Sequence, residues 1–178
     1  MKQNLVIFGI LIFCLSCSEK KNEPENKKPS ELKTLLTDQL KYSHTDENWY
    51  VPTKMALNGL STEQVNWKDS TENNSIGEIV SHLTFWNDMY LRTLKGEDLS
   101  DFEIDNDSTF LVYNEKDWQK VTDKLDSIQM EFQIWTENAS KEQLSEEAFD
   151  IFTIVSHNAY HTGQIIYIRK QNGWWNRK

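Results

Sequence analysis

An all-α fold, a bundle of four long helices, follows from three observations. Apolar residues recur at three- and four-residue spacing in four stretches. No stretch alternates apolar and polar residues as a strand does, and no glycine-rich phosphate loop is present, with only 6 glycines and 3 prolines in 178 residues. Hydrophobic residues at 38% and charged residues at 26% describe a folded domain, which excludes collagen-like, disordered and multi-span membrane classes. That length suits one domain, and four long helices joined by short and long connections pack as a bundle.

The chain opens with an apolar run. Lys2 precedes Leu5 to Leu15, followed by Ser16 and Cys17. This run is shorter than the ~20 apolar residues of a membrane-spanning helix and has the length of a signal-peptide core. A small residue directly before a cysteine resembles the lipobox of bacterial lipoproteins, although Cys14 stands where leucine is usual. The resemblance implies removal of residues before Cys17 and lipidation at Cys17. Both cysteines lie within residues 1–17, so the remaining domain has neither a disulfide nor a thiol nucleophile. Residues 18–29 are nearly all polar and read as a flexible tether, and the domain occupies 30–178. An exported, membrane-anchored protein is expected. Ser18, rather than an aspartate, follows Cys17 and points to an outer membrane, facing the periplasm or the cell surface.

Leu32, Leu35, Leu36 and Leu40 mark a first helix over residues 30–42. A turn over 44–52 leads to a short helical piece over 53–60. Ser75 and Glu78 form a capping box, in which Ser75 accepts from the N3 amide and Glu78 reaches back to the Ser75 amide. The second long helix carries Ile79, Leu83, Trp86 and Tyr90 to a stop near Gly96. Residues 97–114 are acidic and read as an irregular loop crossing the domain. Asn114 caps a third helix marked by Trp118, Leu125, Phe132 and Trp135. The fourth, over 146–171, is apolar on every side and is expected to be buried among the others. Trp174 and Trp175 then form a terminal pair, serving either a homodimer contact or the closure of the bundle end.

The chain has four histidines, His44, His82, His157 and His161. Positions i and i+4 lie about 40° apart around a helix, so His157 and His161 leave one face one turn apart. Two unpaired imidazoles inside a bundle cost several kcal/mol, a cost that a shared metal ion removes. His82, in the middle of the second helix, is the candidate third ligand. Spacing leaves open whether these helices touch, so the three read either as a metal site or as hydrogen-bonded core histidines. Around them, Gln164 and Glu78 are candidates to orient ligands, Glu78 serving equally as the cap. Trp86 and Tyr160 are candidate pocket walls or core residues. Asp150 is a candidate base or a solvated residue, and His44 with Trp49 lies at a pocket mouth or in an exposed turn. A formal charge of −9 argues against nucleic acid as a partner and leaves a small molecule.

Residues 75–90 (SIGEIVSHLTFWNDMY) and 157–173 (HNAYHTGQIIYIRKQNG) resemble the two histidine-bearing helices of the DinB/YfiT-like superfamily, and 49–67 (WYVPTKMALNGLSTEQVNW) resembles the segment between its first two helices. The resemblance implies an up-down-down-up bundle with His82, His157 and His161 binding one divalent metal, zinc, nickel, iron or manganese. Three neutral imidazoles leave the ion charged with a coordination position open, which lowers the pKa of a bound water toward ~7. Metal-dependent hydrolysis of a small molecule is therefore the leading expectation, with no residue assigned as catalytic. A thiol S-transferase is the alternative, weakened because an exported domain lacks the cytosolic thiol pool. Metal or ligand binding without turnover is the other.

Overall fold

Side-chain caps start all four long helices of the computed structural model, which describes residues 30–176. Ser30, Ser75, Asn114 and Ser140 each accept a hydrogen bond from the amide three residues on, satisfying donors that the helix itself leaves unpaired. The elements are α1 (Glu31–His44), α2 (Thr53–Leu57), α3 (Thr62–Asn66), α4 (Ile76–Leu94), a 3-10 turn (Asn106–Thr109), α5 (Glu115–Asn138) and α6 (Lys141–Gln171). No strand occurs among the described residues, and no helix there is long and apolar enough to cross a membrane. The signal, Cys17 and the tether lie outside the described residues.

Pairings between helices fix their directions. On α4 and α5, Asp88 faces Lys124 and Lys95, just past α4, faces Glu131, so partners advance together and the helices run parallel. On α1 and α5, Lys33 reaches the carbonyl of Glu137 while His44 reaches Asp126, so those helices are antiparallel. On α4 and α6, His82 meets His157 whereas Tyr90 meets Glu147, again antiparallel. The order is up, down, down, up. Two apolar clusters fill the bundle, one around Ile76, Leu83, Val121 and Ile165, and one around Leu40, Phe132, Leu144 and Ile151. Gly77 lets α3 seat on α4, because a Cβ there would meet the Val65 carbonyl oxygen at 3.2 Å.

Four expectations are corrected. The last helix begins at Lys141, not Glu146, because Ser140 and Gln143 form a capping box ahead of the apolar stripe. A further short helix, α3, opens on the same kind of box between Ser61 and Gln64. Helix α6 is not enclosed on all sides, for Phe149 is 79% exposed and Tyr167 68%. It lies at the outside of the bundle, burying only the face that carries Leu144, Ile151, Val155 and Ile165. His44 belongs to α1 rather than to an exposed turn. It is buried, with Nε2 2.7 Å from Asp126 Oδ1.

Candidate metal centre

Antiparallel packing of α4 on α6 brings the three mid-helix histidines together. His157 Nε2 lies 3.2 Å from His82 Nε2 and 3.1 Å from His161 Nε2. One ligating atom from each residue lies within 4.8 Å of the others. Zinc–imidazole bonds of about 2.0–2.1 Å at tetrahedral angles separate ligand nitrogens by roughly 3.3 Å, close to the spacing found here. His82 and His161 are buried and His157 half-buried.

Hydrogen bonds on the far side of two rings decide their tautomers. Thr109 Oγ1 donates its only proton to the Asn106 carbonyl at 2.7 Å. It must therefore accept from His82 Nδ1, 2.8 Å away, which leaves His82 Nε2 as a lone pair. Gln164 Oε1 accepts from His161 Nδ1 at 2.7 Å, and Gln164 Nε2 donates to the Tyr160 hydroxyl at 3.2 Å. His161 Nε2 is thus a lone pair as well. Burial, and then the neighbouring histidines, push His82 and His157 down to about 4, and burial holds His161 below its ordinary value against the opposing hydrogen bond to Gln164, so all three rings are neutral at pH 7.

Two nitrogens need a donor, and only His157 Nε2 is placed to give one, to one neighbour at a time. If His157 carries its proton on Nδ1 instead, three lone pairs face a common point. In either case buried acceptors are left without donors, a condition that folded proteins rarely tolerate and that a cation removes. The donor set fits a divalent metal of the borderline kind that imidazole suits.

The centre floors a cavity of about 1240 Å³ whose walls include Trp86, Tyr90, Phe102 and Phe110. Phe110 stacks on His82 with centroids 4.3 Å apart, and Trp86 meets the same ring edge-on at 6.4 Å. The segment between α4 and α5 thus holds His82 from two sides, through Thr109 and Phe110. Sequence reasoning missed both residues. Their signal is faint, a Thr-Phe pair following a run of acids. On the other side, Tyr160, His161, Gly163 and Gln164 line a second cavity of about 540 Å³.

Other candidates lie elsewhere. Glu78 accepts from the Ser75 amide at 2.7 Å and pairs with Lys68, so its carboxylate serves the cap and not His82. Asp150 is exposed on α6. Trp49 is 97% exposed, and His44 is committed to Asp126. Trp174 packs edge-on against Trp67 and Trp175 lies under the Arg169 guanidinium, so the pair closes the bundle end.

Comparison with known proteins gives one family match and none among curated proteins or solved structures. It spans residues 47–165, two thirds of the chain, and takes in α4 together with both histidines of α6. The chain belongs to the DinB superfamily.

Proposed function

We propose that this protein is a metal-dependent hydrolase of a small molecule, with His82, His157 and His161 as ligands. The observation that carries the reading is the unmet proton demand of three neutral imidazoles at the floor of a large cavity. A divalent cation held there supplies Lewis acidity, which activates water near neutral pH and polarises a carbonyl. Thr109 and Gln164 orient two of the rings and keep their Nε2 lone pairs turned inward. Trp86 and Phe110 wall the His82 side and exclude water from it. Glu103 and Asp105 line the same cavity and make its wall negative.

Metal analysis of the purified protein should give about one ion per chain, as three histidines and one open position require. His157→Ala and His161→Ala should each bring that near zero with helicity retained. Metal-free wild type would end the proposal. The loaded protein should cleave members of an ester and amide panel without added thiol, and activity appearing only with thiol would favour the transferase. A silent panel would favour binding without turnover.

Export and lipid anchoring belong to the same proposal, supported by the apolar run ending at Ser16 and Cys17. Cys17→Ser should release the protein from the membrane fraction, and persistent attachment would refute lipidation there.

A further inference from the structure

The large cavity is apolar and aromatic on its walls, yet its charged members all have one sign. Trp86, Tyr90, Phe102 and Phe110 supply ring surface, Glu103 and Asp105 supply carboxylates, and neither lysine nor arginine lines it. Both carboxylates come from the segment between α4 and α5, which carries six acids and no base between Glu97 and Asp107. Asp105 also accepts from the Asp107 amide, which fixes its side chain at the cavity edge. Trp86 is held in place through its Nε1, which donates to Asn106 Oδ1 on that same segment.

Aromatic faces attract cations through their quadrupoles, and two nearby carboxylates add to that attraction. Both features repel an anion. A neutral apolar ligand gains only from the walls. The floor of the same space is His82, 5% exposed, its Nε2 lone pair 3.2 Å from His157 Nε2 and turned toward the histidine cluster.

We infer that the cavity selects cationic amphiphiles, aromatic or aliphatic molecules bearing an amine or ammonium group that rests between Glu103 and Asp105. This deepens the proposed function and rests on it for the end of the ligand that reacts over the histidines. The charge preference itself belongs to the cavity and exists without metal.

Calorimetry on the metal-free protein with three probes of one shape tests it, using 4-phenylbutylamine, 4-phenylbutanol and 4-phenylbutyrate. The amine should bind tightest and the carboxylate weakest, with roughly a tenfold spread at low salt from two partly exposed charges, shrinking at 0.5 M salt. The paired substitution Glu103→Gln with Asp105→Asn, which keeps the Asp105 cap, should remove most of the spread and leave only the share due to the aromatic walls. His157→Ala should keep the amine preference, so loss of the metal site and loss of charge selection are read separately. Equal or tighter binding of the carboxylate by wild type overturns the inference. So does an unchanged spread in the paired variant, or failure of all three probes to bind.

Discussion

Two polar clusters lie side by side between α4 and α6, with Asn158 directly following His157, and they are built on opposite principles. In the first, Asn87 exchanges hydrogen bonds with Asn158 at 2.9 and 3.1 Å, receives one from Gln129 on α5 at 2.7 Å, and donates another to the Leu83 carbonyl. Donors and acceptors nearly balance, and only Gln129 Oε1 is left without a partner. In the second, three imidazoles converge with two acceptors facing at most one proton. An amide carries donor and acceptor together and can complete itself, whereas a neutral imidazole whose Nδ1–H is already committed can only accept. The first cluster is completed by folding except at Gln129 Oε1. The second is finished by a ligand.

Breaking the first cluster should cost stability and leave the second intact. Asn87→Ala strips the partners of Asn158 and Gln129, and at ~1–3 kcal/mol per unmade buried group we expect a loss of about 3 kcal/mol. Urea unfolding measures this, with metal content of the folded variant unchanged. A loss below about 1 kcal/mol, small against what an unsatisfied buried group costs, would mean the amides are not the lock described.

Perturbing the support of the second should do the reverse. Thr109→Val removes the acceptor that holds His82 Nδ1–H, and losses from such outer partners run to ~10–100-fold in metal affinity. Thr109→Ser should restore most of it, and competition with a chromophoric chelator reads the change. Unaltered affinity in the valine variant would remove Thr109 from the site.

Proton titration separates the clusters most gently. Both His82 and His157 are held at about 4 in the folded chain against an ordinary 6.5, so the unfolded chain binds more protons as pH falls between those values. Stability is fully present above 6.5 and is lost as pH drops toward 4. Metal-free protein at pH 5 should be less stable than at pH 7 by about 1–2 kcal/mol. His157→Leu should remove about half of that dependence and leave the part due to His82, while Asn87→Ala should keep all of it. A flat wild-type profile would show the rings to be less buried than described.

Periodicity and capping carried most of the fold. The apolar stripe beginning at Ile76 and the box of Ser75 with Glu78 mark α4 in the sequence as plainly as in the structure. The starts of α3 and α6 were legible by the same box, at Ser61 with Gln64 and at Ser140 with Gln143. A reading that begins a helix at its first apolar run passes over them. His157 and His161 were legible because four-residue spacing is local. Their meeting with His82 was not, since it depends on the register of α4 against α6, and only the family resemblance supplied it. Thr109 stood outside any such reasoning, because an irregular segment has no period from which a contact 27 residues away can be inferred. Asn87 and Asn158 were equally silent, as amides on helices are ordinary at the surface and reveal themselves only by burial.

Parallel α4 and α5 oblige the backbone to travel back along the bundle before α5 can start. Nineteen residues of α4 rise about 28 Å at 1.5 Å each, and the return strap of residues 95–114 passes over the histidines on its way. Only its two ends are dictated by helix packing, together with the small anchor at Thr109 and Phe110. Between them it touches the bundle at few points, Phe102 against Phe85 and Asn106 against Trp86. A topological necessity thus doubles as a roof, since the stretch that returns the chain also supplies Phe102, Glu103, Asp105 and Phe110 to the wall above the imidazoles.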